Sequence, residues 1–334
     1  VTGNKLFLNM AHKFLDIRGK TYIPEGEGVM SAIYAQQHLP VAKQTKPTGH
    51  AVRALYQYSA MADVAAYTDN TAYRIALDSI WHNLVDTKMH ITGGLGAMHG
   101  IEGFGPDYLL PNKDTYNETC AAVGNVLWNY RMFLMTRDAK YADVAEGALF
   151  NNVLAGVNLE GNRFFYVNPL EADGETTFNH GHAERAPWFG TACCPTNLAR
   201  LIPQVAGMMY AFDENNVYIT LYASNSTTVP LSGGEVDIQQ ISDYPFEGTT
   251  KIILNTEKKQ RYNLKLRIPT WVQGEKFLPG NLYSFENKNQ QQEWKVIVNG
   301  KESDSELKNG FVTINRKWSK RDTVELVLNM EQST

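Results

Sequence analysis

The 334-residue sequence predicts an α+β multidomain chain, in which helical hairpins of an α/α toroid or α-solenoid precede an antiparallel β-sandwich. Three observations predict it. Apolar residues recur at helical spacing through the first ~210 positions. Within that stretch the sequence repeats itself at one fixed interval, so that the pattern running from Thr68 to Asn83 returns from Thr136 to Asn151. From Asn216 onward the apolar period falls to two, the period of a strand with one buried face. The change near Phe212 to Asn216 divides the chain into a helical-hairpin domain, residues 1–212, and a sandwich domain, residues 213–334.

The repeat is a turn followed by an apolar stripe. Thr68-Asp69-Asn70 leads to Tyr73, Ala76, Ile80 and Asn83, and Thr136-Arg137-Asp138 leads to Tyr141, Val144, Ala148 and Asn151. A weaker copy, Thr2-Gly3-Asn4 leading to Phe7 and Met10, opens the chain. Helices over residues 49–67 and 118–135 precede the two later turns. A closed toroid needs more hairpins than these, so about half of one is expected here, with the rest supplied by the natural chain. Both ends read as cut, since the sequence opens inside a helical region and closes without finishing its last domain. In the second part, strands are expected over residues 217–222, 250–254, 262–268, 294–298, 311–314 and 323–328. Asn299-Gly300 and Asn309-Gly310 supply hairpin turns between them.

Composition excludes several classes of partner. A net charge of −4 with 20% charged residues gives no footprint for nucleic acid or an anionic membrane. No apolar run reaches the ~18 residues of a membrane span. Aromatics reach 11%, with 17 Tyr and 6 Trp, which suits a sugar-binding cleft, although most such rings fill helix interfaces.

The three cysteines, Cys120, Cys193 and Cys194, do not form a disulfide framework. Glu118 and Cys120 stand two apart at an expected helix start, where first-turn side chains converge on one ion. Cys193 and Cys194 precede Pro195, which suits a first helical turn and so places both thiols at a helix N-terminus, where thiolates are favoured. Three thiolates and one carboxylate form a four-ligand set that zinc accepts. Three buried thiols acting as small hydrophobes are the other reading. Spacing alone leans toward that one, because Glu-x-Cys with Cys-Cys is not a standard finger pattern.

Glu102 lies in Gly100-Ile101-Glu102-Gly103-Phe104-Gly105. It is either a solvated turn residue, the usual case, or a presented acid. Its loop runs directly into the Glu118/Cys120 segment, which favours the second reading. Glycoside hydrolysis needs a proton donor to the leaving oxygen and, in retaining enzymes, a nucleophile across the anomeric carbon. Glu102 fits the first role and a metal-held thiolate the second. His50 opens a helix at the repeat position that Glu118 takes in the next copy, so it is either a residue of the same cleft or, as for any single histidine, a surface or core residue with one hydrogen bond. His180 and His182 read as loop residues rather than a metal pair.

Four stretches resemble the bacterial β-L-arabinofuranosidase family, glycoside hydrolase family 127 and its close relatives. They are Thr92-Gly93-Gly94-Leu95-Gly96, Tyr116-Asn117-Glu118-Thr119-Cys120-Ala121, Phe165-Tyr166-Val167-Asn168-Pro169-Leu170 and Cys193-Cys194-Pro195-Thr196-Asn197. Leu266-Arg267-Ile268-Pro269-Thr270-Trp271 is similar to a strand of that family's sandwich, so the resemblance covers nearly the whole chain. It implies an (α/α)6 barrel, about half of it present, followed by β-sandwich domains. Family members are longer at both ends, and their first barrel helices, which add a further histidine to the cleft, have no counterpart here.

The resemblance also implies that Glu118, Cys120, Cys193 and Cys194 bind Zn2+, that Cys193 is the nucleophile and that Glu102 is the acid/base. It places His50 and Tyr166 against the sugar. With it, the metal reading of the three thiols overtakes the hydrophobic one. The expected function is a retaining exo-glycoside hydrolase that releases L-arabinofuranose, or a related sugar, from plant-type glycans. Its partner is a glycoside or oligosaccharide, in the bacterial cytoplasm or periplasm. Two alternatives stand: an unsaturated-uronide hydrolase or lyase on the same toroid, and a non-catalytic sugar-binding or scaffold protein with a structural zinc.

Overall fold

The expected repeat is one turn used three times. A computed structural model describes residues 3–21, 23–274, 276–286 and 293–330 of the chain; Thr2, part of the first copy, lies outside them. Six α-helices occur among the described residues: α1 (Lys5–Ile17), α2 (Ala51–Thr68), α3 (Thr71–Thr87), α4 (Thr119–Thr136), α5 (Ala139–Ala148) and α6 (Cys193–Leu201). Gly3, Asp69 and Arg137 each adopt a left-handed φ, at 70°, 50° and 58°. The next residue caps the following helix. Asn4 accepts from Leu6 N at 2.9 Å, Asn70 from Tyr73 N at 3.1 Å and Asp138 from Lys140 N at 3.0 Å. Helices α2 and α4 start and stop at equivalent positions of the repeat, and each is 18 residues long.

The first of two compact units comprises Val1–Thr136, Val144–Pro203 and Gly280–Leu282. Within it α2 packs against α4, and α4 against α6. These helices are rich in small buried residues, among them Ala51, Ala54 and Ala62 on α2 and Ala121 and Ala122 on α4, so their backbones approach closely. Larger side chains pack between the middles of the helices. The Tyr58 ring lies 5.1 Å from that of Trp128, and Trp81 on α3 donates Nε1–H to Asn129 at 2.8 Å. Long loops precede α2, α4 and α6, and the candidate site is built where those loops meet the helix N-termini. No described helix is long and apolar enough to cross a membrane.

The second unit comprises Arg137–Asp143, Gln204–Pro279 and Tyr283–Thr334. Its strands are β1 (Tyr210–Phe212), β2 (Asn216–Ile219), β3 (Asn225–Leu231), β4 (Gly234–Ser242), β5 (Thr249–Thr256), β6 (Gln260–Arg267), β7 (Trp294–Val298), β8 (Lys301–Glu302), β9 (Leu307–Lys308), β10 (Phe311–Trp318) and β11 (Asp322–Leu328). They form a five-stranded sheet, β1-β2-β6-β10-β9, and a six-stranded sheet, β3-β4-β5-β11-β7-β8. Val217, Ile219, Leu264, Leu266 and Val312 line the buried side of the first sheet, and Val236, Ile238, Ile252, Leu254, Val324 and Leu326 that of the second.

Pairing is antiparallel as expected, except that β2 runs parallel to β6. Asn299 and Gly300 have φ of 51° and 77°, and Asn309 and Gly310 of 51° and 72°. Both pairs make the tight turns that their sequence predicts, joining β7 to β8 and β9 to β10. Buried Arg267 of β6 pairs with Asp143, which also accepts from Thr270 Oγ1 at 2.6 Å.

Candidate active site

The residues singled out in the sequence are delivered mainly by helix starts. His50 caps α2, Glu118 ends the loop before α4, Cys120 lies in the first turn of α4, and Cys193 and Cys194 open α6. Helix N-termini present unpaired N–H groups and partial positive charge, which favour carboxylates and thiolates. Cys194 Sγ lies 3.1 Å from Cys120 Sγ and 4.0 Å from Cys193 Sγ. Glu118 Oε1 stands 3.6 Å from Cys194 Sγ and 3.8 Å from Cys193 Sγ. These separations exceed the ~2.05 Å of a disulfide, and all three thiols are free. Cys120 and Cys194 are buried, whereas Cys193 is half-buried.

A second group adjoins the first through Glu118. His50, Glu102 and Glu118 offer atoms that lie within 4.8 Å of one another. His50 Nε2 stands 3.4 Å from Glu102 Oε2. Glu102 has a φ of 49°, a region that a non-glycine residue enters at a cost. Backbone bonds offset that cost. The Glu102 carbonyl accepts from Ala51 N at 3.1 Å, and Gly103 pairs with both His50 and Met98. A Cβ on Gly103 would meet the Gly49 carbonyl oxygen at 2.1 Å, so glycine alone lets the loop lie against the start of α2. The sequence left Glu102 between a turn residue and a presented acid; this backbone aims it at His50 and Glu118.

Tyr166 enters the same cluster, its hydroxyl 2.9 Å from Cys193 Sγ. Its carbonyl accepts from Thr119 N at 3.0 Å, and its N–H donates to Asn179 Oδ1 at 2.8 Å. His180 and His182 belong to neither candidate metal group among the described residues. The His180 ring instead lies 4.3 Å from the Tyr166 ring, with Nε2 3.4 Å from the Tyr116 hydroxyl, and so walls the site.

Sequence reasoning missed the amides that hold these groups in place. Asn117 is fully buried, with a φ of 41°. Its Nδ2 donates to Asn168 O at 2.6 Å, and its Oδ1 accepts from Asn152 Nδ2 at 3.4 Å. Asn168 Nδ2 donates to Asn152 O at 3.2 Å. Three amides thus tie the residue before Glu118 to the segment that carries Tyr166. The sequence signal for Asn117 is its type alone, because asparagine tolerates left-handed backbone.

The electrostatics of the sulfur cluster suit a cation. Burial, then the charges of Cys193 and Glu102, pushes the Glu118 carboxyl up to about 8. Burial raises the Cys194 thiol, and hydrogen bonding to Cys193 raises Cys120. Hydrogen bonds from Cys120 and Cys194, with a further one from Tyr166, hold the Cys193 thiol far below its ordinary value. Left to themselves the groups concentrate negative charge on Cys193; a divalent ion lets all four ionise. The donor set also fits zinc. Zn–S bonds of ~2.3 Å in a tetrahedron place sulfurs ~3.8 Å apart, between the 3.1 and 4.0 Å sulfur spacings found here. Glu118 Oε2 is moreover buried with no hydrogen-bond partner. His50 is lowered by burial against the pull of Glu102, and its Nδ1 is likewise buried and unpartnered.

Comparison with known proteins gives the family. A family profile described as Beta-L-arabinofuranosidase, GH127 catalytic domain, matches residues 1–207. The chain belongs to the GH127 family. The profile of the GH127 middle domain matches residues 216–330. A non-reducing end beta-L-arabinofuranosidase of Bifidobacterium longum subsp. longum is 30% identical to this GH127 chain, over 99% of the chain and 50% of the relative. A solved GH127 beta-arabinofuranosidase is 44% identical, with a TM-score of 0.91, over 99% of this chain and 50% of that one. A GH127 beta-L-arabinofuranosidase from Geobacillus stearothermophilus T6 is 34% identical, with a TM-score of 0.88, over 99% and 52% of the two chains. The chain thus spans about half the length of the relatives it matches.

Proposed function

We propose that the intact protein is a retaining exo-glycoside hydrolase that releases L-arabinofuranose, or a related sugar, from the non-reducing ends of plant-type glycans. Cys193 is its nucleophile and Glu102 its acid/base. One observation carries the reading: the half-buried Cys193 sulfur and the His50–Glu102 pair both adjoin one carboxylate, Glu118.

In this reading Glu118, Cys120, Cys193 and Cys194 hold zinc. The ion supplies the charge that keeps Cys193 deprotonated near neutral pH and a fixed position for its sulfur. Cys193 attacks the anomeric carbon as Glu102 gives its proton to the leaving oxygen, forming a thioglycosyl bond to Cys193 and releasing the aglycone alcohol. Glu102, now a carboxylate, takes a proton from water. The resulting hydroxide displaces Cys193 and frees the sugar with retained configuration. His50, whose Nε2 faces Glu102, and Tyr166, whose hydroxyl lies beside the attacking sulfur, offer polar contacts to sugar hydroxyls.

The test is zinc content together with hydrolysis of p-nitrophenyl β-L-arabinofuranoside by the intact protein. The proposal expects about one zinc per chain, the content of a single four-ligand site, and turnover that Cys193→Ala abolishes. Zinc without turnover on any arabinoside would turn the assignment toward a structural site. Turnover by zinc-free protein would overturn the mechanism.

A further inference from the structure

We propose that Asn197 is a positioning residue that holds Cys120 as a fixed metal ligand through an N–H to sulfur bond; the inference rests on the metal–thiolate reading of the site. Asn197 lies on α6, one turn beyond Cys193 and on the same helix face. Its Nδ2 donates to Cys120 Sγ at 2.9 Å, across 77 residues of sequence. Its Oδ1 accepts from the Tyr56 hydroxyl of α2 at 3.0 Å and from the Arg200 guanidinium, which also bonds the Tyr56 oxygen.

These partners fix which way the amide points. Arginine donates and never accepts, so the oxygen of Asn197 must face Arg200 and its NH2 must face the sulfur. The network joins α2, α4 and α6, the three helices whose N-termini build the site.

The three sulfurs therefore differ. Cys120 is 1% exposed and receives the amide N–H. Cys194 is fully buried, 3.9 Å from the Tyr166 carbonyl oxygen. Cys193 is half-buried beside the Tyr166 hydroxyl. Three thiolates and a carboxylate around a divalent ion leave surplus negative charge in a low-dielectric place. A neutral amide N–H offsets part of it at Cys120 without adding a charge, and so steadies that sulfur on the ion.

The deciding variant is Asn197→Asp, made in the intact protein. It keeps the shape and both bonds from Tyr56 and Arg200, but it turns an oxygen toward the sulfur. Zinc affinity is read by chelator competition, and sulfur-to-metal charge transfer by the absorption spectrum of the cobalt-substituted protein. The expected result is a loss of about 10–100-fold in zinc affinity with shifted charge-transfer bands. Tyr56→Phe, which removes one orienting bond and keeps the amide, should show a smaller loss in the same direction. If wild type holds no zinc, the metal reading itself fails. If wild type holds zinc and Asn197→Asp matches it in affinity and cobalt spectrum, the role of Asn197 is overturned while the metal reading stands. Should Asn197→Asp not fold, Tyr56→Phe decides: weakened affinity supports the role, and unchanged affinity overturns it.

Discussion

Gly94→Ala tests whether buried packing behind Glu118 sets the proposed metal site. A Cβ at Gly94 would lie 2.0 Å from Asn117 Oδ1 and 2.3 Å from Asn152 Nδ2, where ordinary contact begins at 3.4 Å. An overlap that deep exceeds what side-chain torsion absorbs, because both amides are buried and bonded to each other. Overpacking costs ~1–3 kcal/mol, and an orphaned buried amide a further ~1–3 kcal/mol. The alanine returns ~0.4–1 kcal/mol by restricting the unfolded chain. The net expectation is a loss of about 1–5 kcal/mol. Asn117 directly precedes Glu118, so displacing it also moves a proposed ligand, and zinc affinity should fall about 10-fold or more. Urea unfolding and chelator competition on the same preparation measure the two effects. A Gly94→Ala protein that matches wild type in both refutes the reasoning.

Further perturbations follow from single contacts. Asp107 accepts from Lys46 at 2.6 Å and from Lys88 at 2.8 Å, and the two ammonium groups hold its carboxyl well below the usual range. Asp107→Asn leaves the buried Lys88 with the Gly105 carbonyl but no counter-ion, and should cost about 1–2 kcal/mol near pH 7, less than a fully buried pair because Asp107 is 30% exposed. A carboxyl lowered on folding stabilises above its unfolded pKa of ~3.9 and loses that contribution as pH falls toward the folded value. The gap between variant and wild type in urea should therefore close in acid, and an equal gap at both pH values counts against the pairing. Arg267→Met leaves Asp143 buried without its cation and should cost about 3–5 kcal/mol in urea unfolding; a neutral outcome would show the pair to be dispensable. Glu102→Gln should spare the cleavage step for glycosides with activated leaving groups and slow it for alkyl glycosides. Equal slowing of both would remove Glu102 from the acid role.

Local chemistry was readable in the sequence, and long-range pairing was not. The repeat placed His50 and Glu118 at equivalent helix starts, because a repeated hairpin repeats its geometry. Glu118-x-Cys120 and Cys193-Cys194 were visible as donor groups because each spans a single helical turn. The bond from Asn197 to Cys120 and the Asn117–Asn152–Asn168 cluster join segments far apart in the chain, and no short pattern marks them. In the second unit, Asn-Gly turns fixed the hairpins around β7 to β10. The β3–β4 hairpin escaped notice because the buried positions of β4 run Val236, Ile238, Gln240 and Ser242, so the apolar alternation fades halfway. The parallel pairing of β2 with β6 is set by a crossover that periodicity does not encode.

The central claim is that Cys193 carries the sugar while Glu102 moves the proton. Peptide mapping of Glu102→Gln protein quenched during turnover of p-nitrophenyl β-L-arabinofuranoside tests it most directly. The activated leaving group lets the first step proceed, and the missing base stalls the second, so a pentosyl adduct should accumulate on the peptide that holds Cys193. An adduct on a carboxylate, or steady turnover with no adduct on Cys193, would contradict the account.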